Sequence, residues 1–472
     1  MFMMYTRTLF VAVALVPAAK GHGTCRRPAA NATTSTHREL LSVCMLSRCQ
    51  DSAADTGATC PLLRHVESAG SNPYPTRLAG ERDAAAPRAT REHQDTRRGT
   101  VQTFATVLNE KELADTNLQF VSQHYDLVLL SFPYARVVTR LRRSNPDLIV
   151  LLFNNPYFAF GEKFWQAGPD EDLENVAGDW LLRDESGAVV RYNGPLYGGL
   201  DFEQRVPLMD IRVWAWQKYY AAQSAKWVRE ADMDGLFIDT LGEHPPHFAQ
   251  APGGASEHRK WRDSAYGLLH ELKEAFAGTE ALLCFNGTSR PVGARQEKAN
   301  RGLLRRCDGT TIEAFGITMG MDHSDEAKQW FFFETILKDL HSASADDKLV
   351  LIEVYAEQPT ETNRMYALCS FLLVQNERTY FYYTSLSEAG TTRWRPEWSL
   401  DLGHPTDTYR RHNDMYFRRF EKATVWVNPQ PETHVSPLAV AQIDPAGRHI
   451  RHVRLAPFSG TILFHENKKD DN

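Results

Sequence analysis

The sequence predicts an α/β protein in which eight parallel strands and the helices between them close into a (β/α)8 barrel. Three observations support this fold class. From about residue 99 onward, short apolar runs alternate with amphipathic segments, as in repeated βα units. The runs, such as Leu127-Val-Leu-Leu130, lack two-residue alternation, so both faces of the sheet are expected to be covered. Eight runs fall within roughly 285 residues, a length typical of one barrel.

Each predicted strand is a short apolar run followed by polar or turn residues. The eight are Val101–Thr106, Leu127–Phe132, Leu148–Asn154, Gly235–Asp239, Ala281–Asn286, Thr310–Ala314, Leu349–Val354 and Thr379–Thr384. Helices are predicted at Ile211–Arg229, His258–Phe276, Asp325–Leu340 and Glu361–Gln375. In the first of these helices, Trp214, Trp216, Tyr220 and Trp227 are spaced for a buried side.

Two features extend the barrel predicted for residues 99–422. A long insertion, residues 155–207, follows the third strand and contains a predicted hairpin at Trp180–Tyr192. Long barrel loops usually shape the rim of the active site. Residues 423–465 are predicted to form a small β appendage with strands at Thr424–Pro429 and Arg451–Phe464, and the polar residues 466–472 a disordered tail.

The first residues have the features of a secretory signal peptide, residues 1–21. Arg7 supplies positive charge, an apolar run extends from Leu9 to Ala19, and Gly21 ends the segment with a small residue. An uncleaved anchor is the alternative, although the run is short for a membrane span. We therefore expect a chain that is secreted, or held in the secretory-pathway lumen or at the cell surface, without stable membrane insertion after cleavage.

The cysteine pattern agrees with export. Cys25, Cys44, Cys49 and Cys60 lie within residues 22–63, and four clustered cysteines predict two disulfides with three alternative pairings. Cys284 and Cys369 have apolar neighbours and are expected to be buried. Residues 64–98, rich in Arg, Ala, Pro and Gly, are predicted to be a flexible linker.

Composition excludes some classes of function. The chain is 42% hydrophobic and 24% charged, with a formal net charge of −6, so no nucleic-acid partner is expected. It has no GxSxG elbow, P-loop or GxGxxG fingerprint. The sequence predicts no metal or organic cofactor. Oligomeric state cannot be predicted from these features.

Two strand-end acids are the candidate catalytic residues. Asp239 ends the fourth predicted strand, in Asp234-Gly-Leu-Phe-Ile-Asp239, and Glu313 lies within the sixth. Catalytic groups in parallel barrels sit at the carboxyl ends of several strands and converge on one mouth. Two facing carboxylates are the minimal apparatus for cleaving a glycosidic bond. We predict Asp239 as nucleophile or base and Glu313 as general acid, with structural acids as the alternative for both.

Other polar residues near strand ends are predicted to bind substrate hydroxyls. They are Asn154, Tyr157, Asp210, Asn286, Glu353 and Tyr355. Glu353 is also a competitor for the role of general acid. Asp210 has an alternative role as the cap of a helix beginning at Ile211. Asn286 begins the sequon Asn-Gly-Thr, whose glycosylation would exclude a role in the mouth, whereas Asn31 begins a less restricted sequon.

The order of these motifs resembles that of the TIM-barrel proteins of hypothetical glycosyl hydrolase family 15, distant relatives of endo-α-1,4-polygalactosaminidases and of the α-galactosidase superfamily. The similar segments are Tyr125–Phe132, Trp180–Tyr192, Leu208–Asp210, Asp234–Asp239, Val427–Pro429 and Pro457–Leu463. The resemblance covers about residues 99–465. It implies a glycosidase with its nucleophile or base on the fourth strand and its acid on the sixth, which here are Asp239 and Glu313.

The leading hypothesis is therefore a secreted glycoside hydrolase acting on a polysaccharide or oligosaccharide through two carboxylates. A catalytically inactive barrel that binds carbohydrate is the first alternative. The second is a metal-dependent glycosyltransferase that uses the DxD-like pair Asp170 and Asp172.

Overall fold

The computed structural model describes residues 101–108, 113–158, 178–192, 206–245, 255–286, 300–313, 347–356, 360–385 and 392–466. The predicted signal peptide, cysteine-rich segment and linker lie outside these ranges, as do the predicted helix Asp325–Leu340 and residues 467–472 of the predicted tail. Within the described ranges, no helix is both long and apolar enough to cross a bilayer.

Eight parallel strands form one sheet in chain order. With all strands numbered along the chain, they are β1 (Phe104–Val107), β2 (Leu127–Ser131), β3 (Ile149–Asn154), β6 (Gly235–Ile238), β7 (Leu282–Asn286), β8 (Gly309–Glu313), β9 (Leu349–Ala356) and β10 (Thr379–Ser385). A parallel bridge between Thr103 and Phe381 joins the last strand to the first. The Phe381 N–H donates to the Gln102 carbonyl at 2.9 Å. The predicted (β/α)8 barrel is confirmed.

The strand register gives the barrel its interior layers. The paired residues can be followed from strand to strand around the whole barrel, including the closing bridge. This path arrives back on β1 at a position eight residues away from the residue where it began. A shear of eight is that of a TIM barrel, in which alternate strands contribute each interior layer. The lower interior is apolar and closely packed. Its members are Phe104, Leu127, Leu129, Leu151, Phe237, Cys284, Leu349, Leu351, Tyr380 and Tyr382.

Gly235 shows why the strand before Asp239 begins with glycine. A Cβ atom at this position would lie 2.1 Å from the carbonyl oxygen of Leu282 on the neighbouring strand. That distance is far below van der Waals contact, so any side chain would push β6 and β7 apart. The glycine of the Asp-Gly pair is therefore a requirement of strand packing.

Six helices surround the described barrel. They are α1 (Asp115–His124), α2 (Val138–Ser144), α3 (Trp214–Glu230), α4 (Ala255–Ala275), α5 (Arg301–Arg306) and α6 (Glu361–Leu372). Helix α3 begins at Trp214, so the predicted start at Ile211 is wrong. Its Trp216 and Tyr220 are buried, whereas Trp214 is 62% exposed, contrary to the prediction that it belongs to the buried side.

The predicted hairpin within the long insertion is confirmed. Arg183 and Val189 form an antiparallel bridge, and the Asp184 N–H donates to the Ala188 carbonyl at 2.9 Å. Gly187, at φ +83°, supplies the left-handed residue that this turn needs. Next to the hairpin, the short strands β4 (Arg191–Tyr192) and β5 (Val206–Pro207) pair with each other.

A second sheet of six strands follows the barrel. It contains β11 (Arg410–His412), β12 (Met415–Arg419), β13 (Ala423–Asn428), β14 (His434–Ile443), β15 (His449–Leu455) and β16 (Ser459–His465). The sheet therefore begins before the predicted boundary at residue 423. Strand β11 is exposed along its whole length, so its polar sequence has no apolar run that would indicate a strand.

Close packing joins this sheet to helix α6. A Cβ atom at Gly460 of β16 would lie 2.6 Å from the Cβ of Cys369, so the helix rests directly on the strand backbone. Arg418 of β12 donates to the carbonyls of Leu372, Leu373 and Gln375 at the end of the helix, the last at 2.7 Å. These bonds satisfy carbonyls that a helix terminus leaves without partners.

Candidate active site

Asp239 lies at the carboxyl end of β6 and faces the barrel interior. Phe237 belongs to the interior cluster and Ile238 to the outer one, so the pleat turns the next residue inward. The side chain is buried, with 4% of the residue exposed. Thr240 follows in the left-handed conformation, at φ +61°, which turns the chain sharply after the carboxylate. The structure thus places Asp239 where barrel enzymes carry catalytic groups.

Two asparagine amides hold the Asp239 carboxylate. Asn155 Nδ2 donates to Oδ2 at 2.8 Å, and Asn286 Nδ2 donates to Oδ1 at 3.0 Å. The Asp239 N–H donates to the Asn154 carbonyl at 2.9 Å. Among the residues that the structure describes, no Lys, Arg or His forms an ion pair with Asp239. The carboxylate is therefore fixed in orientation by neutral donors, while its charge is left available for chemistry.

Asn155 is itself held in place by its neighbours. Its Oδ1 accepts the Tyr157 N–H at 2.9 Å, and its Nδ2 lies 3.2 Å from Thr240 Oγ1. Only 6% of Asn155 is exposed. The sequence analysis did not select this residue, although it follows directly on the strand-end residue Asn154. The signal that could have found it is the pleat, since residues 151 and 153 face inward and 155 continues that series.

Two polar layers close the interior above the apolar core. With a shear of eight, Ser131, Asp239, position 313 and Thr384 belong to the upper layer, and Thr106, Phe153, Asn286 and Glu353 to the layer beneath. Seven of these eight positions carry polar residues. The interior of the barrel thus changes from hydrocarbon to hydrogen-bonding groups at the end where Asp239 lies.

Glu353 is the second described acid of these layers. Leu349 and Leu351 precede it on the interior face of β9, and only 6% of Glu353 is exposed. Its register partners are position 313 on β8 and Tyr382 on β10. Glu313 is the last residue of β8, one residue before the predicted strand end at Ala314, and Tyr355 lies in β9. The side chains of both are outside the described part of the structure.

Three buried hydroxyls in the barrel interior make no hydrogen bond within the described structure. They are Thr106 Oγ1, Ser131 Oγ and Thr311 Oγ1. The first two belong to the polar layers, and Thr311 is two residues before position 313 on β8. Buried polar groups in proteins nearly always have partners, so unpartnered ones mark a place where a water or ligand would be accommodated.

The side chains of three predicted site residues make their hydrogen bonds and ring contacts away from Asp239. The Asn154 amide donates to Ser224 Oγ of helix α3 at 3.1 Å, on the outer side of the barrel. Tyr157 is fully buried and stacks on Trp261, and burial raises its pKa. Asp210 accepts hydrogen bonds from the side chain and backbone of Arg212 in the turn before α3. These contacts are structural.

The chain that follows Asp239 is anchored to helix α5. Glu243 Oε1 accepts a hydrogen bond from the Tyr266 hydroxyl at 2.9 Å and from the Leu303 N–H at 3.1 Å. Asn300 Oδ1 accepts the Glu243 N–H at 2.7 Å, and Asn300 itself is left-handed at φ +66°. These bonds fix the exit of the loop after β6, and with it the position of the turn at Asp239.

Other predicted features of the site have mixed outcomes. Within the described residues, no group of three or more His, Cys, Asp or Glu side chains is arranged to bind a metal ion. Asp170 and Asp172 of the alternative glycosyltransferase hypothesis lie outside those residues.

Cys284 and Cys369 are buried free thiols, as predicted, and so is Cys307. The four N-terminal cysteines and the Asn31 sequon are also outside the described ranges.

The structure is a (β/α)8 barrel with a buried, amide-held carboxylate at a strand end, the place where barrel enzymes carry their catalytic groups. The model of hypothetical glycosyl hydrolase family 15 matches residues 142–424. The chain therefore belongs to this family and is classed with the glycoside hydrolases. No curated protein matches the chain significantly.

Several solved structures are similar to this chain at low identity. A maltogenic alpha-amylase from Thermotoga neapolitana has 11% identity and a TM-score of 0.45, with 77% of this chain and 98% of that chain covered. The glycoside hydrolase domain of PelA from Pseudomonas aeruginosa has 16% identity and a TM-score of 0.39, with 61% of this chain and 96% of that chain covered. An alpha-amylase from Geobacillus thermoleovorans has 10% identity and a TM-score of 0.42, with 78% of this chain and 99% of that chain covered. The family assignment rests on the family model.

Proposed function

We propose that this protein hydrolyses O-glycosidic bonds of a polysaccharide or oligosaccharide, with Asp239 as nucleophile or base and Glu313 as general acid. The observation that carries the proposal is the placement of Asp239. It is a buried carboxylate at a strand end, held by Asn155 and Asn286 without a cationic partner in the described structure. A structural acid at such a depth would usually be paired with a cation.

The roles follow from how a glycosidic bond breaks. The leaving oxygen needs a proton, while positive charge develops on the anomeric carbon and its ring oxygen. Asp239 attacks that carbon directly, or removes a proton from the water that attacks it. Glu313 supplies the proton to the leaving oxygen. Asn155 and Asn286 keep the carboxylate of Asp239 aligned, so that little reorganisation is needed during the reaction.

Substrate and location are also part of the proposal. Asn286 and Glu353 are within the polar layers and are proposed to bind sugar hydroxyls, as is Tyr355. The substrate is a carbohydrate, and the chain acts after export through the secretory pathway, for which residues 1–21 are the proposed signal. Cell fractionation of the full chain and of a variant lacking those residues tests export separately from catalysis.

Hydrolysis of a glycan panel that includes amino-sugar polymers tests the catalytic proposal. The wild-type chain is compared with Asp239→Asn, Glu313→Gln and Asp234→Asn. The last variant is the matched control because Asp234 flanks the same strand at the opposite end of the barrel. We expect wild-type turnover, losses of about 10³-fold or more in the first two variants, and retained activity per folded molecule in the control.

Other results would redirect the proposal. Unchanged activity in Asp239→Asn or Glu313→Gln would move the chemistry to another acid, with Glu353 first. Glycan binding without turnover in the wild type, retained in both variants, would instead establish the inactive carbohydrate-binding barrel. The configuration of the released sugar, followed by NMR, then distinguishes a nucleophilic Asp239 (retention) from a basic one (inversion).

A further inference from the structure

Phe153 is the apolar exception among the eight positions of the two polar layers that close the barrel interior. Its ring lies on the interior face of β3, where it packs against the interior cluster that contains Leu151 and Phe237. Those two residues are buried, whereas Phe153 is partly exposed. An aromatic surface is therefore accessible inside the barrel, at the level of hydrogen-bonding groups.

The accessible interior side chains lie on both sides of Asp239. Phe153 belongs to β3 and Asn286 to β7, the two strands that neighbour β6, and both residues are partly exposed. The other members of the two layers whose side chains the structure describes are buried. They are Thr106, Ser131, Asp239, Glu353 and Thr384. In the described part of the barrel, the polar layers are thus open beside the candidate catalytic carboxylate.

Phe237 covers the side of Phe153 that faces the apolar core. The two rings are nearly parallel, at 22°, with their centroids 5.6 Å apart, and Phe237 is 2% exposed. The accessible part of the Phe153 ring is therefore directed away from the core, toward the layer of Asp239. Asn155, the next interior residue after Phe153, donates to Asp239 Oδ2 at 2.8 Å. The ring thus lies one interior position below the carboxylate and the amide that holds it.

An unpartnered hydroxyl lies next to this ring. Ser131 of β2 is the register partner of Phe153, and paired residues of neighbouring parallel strands lie about 4.8 Å apart on the same face. Ser131 is 1% exposed, and its Oγ makes no hydrogen bond within the described structure. A buried hydroxyl without a partner costs free energy in the folded state. It is suited to a ligand that donates or accepts a hydrogen bond there.

We propose, resting on the function proposed above, that Phe153 and Ser131 form the subsite for the sugar ring whose anomeric carbon faces Asp239. One face of a pyranose ring presents C–H groups, which pack against an aromatic ring, and its edge carries hydroxyl groups. A sugar seated on Phe153 turns one hydroxyl toward Ser131 Oγ and its anomeric carbon toward the carboxylate. Aromatic surface with a few placed polar groups is typical of a small-ligand site.

The kcat/KM values of Phe153→Leu and Ser131→Ala on the substrate identified from the glycan panel test this subsite. Leucine keeps an apolar side chain but has no flat ring, so we expect a loss of about 10-fold. Loss of one hydrogen bond in Ser131→Ala should reduce kcat/KM about fivefold. Phe104→Leu is the matched control, because Phe104 is a fully buried ring of the lower interior. Equal losses in Phe104→Leu and Phe153→Leu, or unchanged values in both subsite variants, overturn the proposal.

Urea unfolding separates a binding role of Ser131 from a structural one. Ser131→Ala should leave the free energy of unfolding unchanged or raise it, because the hydroxyl has no bond to lose in the described structure. Ser122→Ala is the comparison, since the buried hydroxyl of Ser122 donates to the Gln119 carbonyl at 3.0 Å and its removal should lower stability. A loss of stability in Ser131→Ala as large as that in Ser122→Ala contradicts the assignment of this hydroxyl to a ligand.

Equilibrium binding keeps this inference distinguishable from the proposed hydrolysis. Short oligosaccharides of neutral hexoses and of amino sugars are titrated into Asp239→Asn, and into the same variant with Phe153→Leu or Ser131→Ala added. Weaker binding in both double variants, with loss of the upfield ring-current shifts of the bound sugar C–H protons when Phe153 is replaced, supports the subsite even if the wild type cleaves no glycan. Wild-type turnover together with binding that neither substitution weakens refutes the subsite and leaves hydrolysis standing. Absence of binding for every oligosaccharide also refutes the subsite.

Discussion

Asp234 and Asp239 flank the same strand, and the barrel separates their carboxylates by the whole length of β6. Asp234 accepts hydrogen bonds at the amino end, from the Val150 N–H at 2.8 Å and from Arg142 Nη2 at 2.8 Å. Asp239 accepts two amide hydrogen bonds at the carboxyl end. One acid ties adjacent strands together, and the other is presented to the mouth. In a barrel, the first end serves stability and the second serves chemistry.

Asp234→Asn and Asp239→Asn are therefore expected to have opposite effects on stability and activity. Breaking the Asp234–Arg142 pair, whose side chains are 16% and 9% exposed, should lower the free energy of unfolding by about 3 kcal/mol. Asp239→Asn keeps the shape of the side chain and removes a buried charge, so stability should change by about 1 kcal/mol or less. Urea unfolding of both variants measures the difference. Equal destabilisation by the two would show that Asp239 is a structural acid.

Two further aspartates accept a backbone N–H from a neighbouring strand in the same way as Asp234. Thr103 N–H donates to Asp126, and Leu283 N–H donates to Asp308, both at 2.8 Å. Each acceptor directly precedes a strand, β2 or β8, and receives the N–H of the strand before it. An aspartate before a strand therefore has a different role from one after it, although the two look alike in sequence.

Removing the amides that hold Asp239 should reduce turnover without removing the carboxylate. For Asn155→Leu and Asn286→Leu we expect kcat to fall about 10²-fold each, because a misaligned catalytic group loses much of its effect. Steady-state kinetics on the substrate identified from the panel measures the loss. Asn154→Ala is the control, since the amide of Asn154 bonds Ser224 behind the strand. If Asn154→Ala raised KM as much as the other two variants lowered kcat, Asn154 would be a substrate ligand, as its sequence position suggests.

Asn154 and Asn155 show where sequence reasoning reaches its limit. Apolar runs and their spacing suffice to predict all eight barrel strands, because each strand must be covered on both faces. They also give the strand that carries Asp239. To tell which of two adjacent residues at a strand end faces the barrel interior, one must know the direction of the pleat. A strand that is apolar on both faces does not reveal this direction in its sequence. Strand β11 was missed for a related reason, because it lies at the edge of its sheet, is exposed along its whole length and has no apolar run.

Asn428 explains why the Val427-Asn-Pro429 segment matters to the second sheet. The residue is fully buried, and its Nδ2 donates to the carbonyls of Glu432 at 2.7 Å and Ala456 at 2.8 Å. Its Oδ1 accepts the Gln430 N–H at 3.1 Å. One side chain thus joins the turn after β13 to the turn before β16.

For Asn428→Ala we expect the free energy of unfolding to fall by about 3 kcal/mol, because several buried backbone groups lose their partner. Thermal and urea unfolding measure this loss. Thr408→Ala is a suitable comparison, since Thr408 is exposed in the segment before β11. Comparable losses in the two variants would mean that the bonds of Asn428 are replaced by water.

The stability of the loop after β6 should depend on pH through His244. Burial, together with the nearby His258, lowers the pKa of His244 below its usual 6.5, whereas Glu243 acts in the opposite direction. The unfolded chain then binds more protons than the folded chain between the lowered pKa and 6.5, so stability falls as pH drops through that window. Above it, both states are neutral and His244 has no effect. His244→Gln should flatten this fall when melting temperatures at about pH 7.5 and about pH 5.5 are compared, and an unchanged difference would show that other groups cause it.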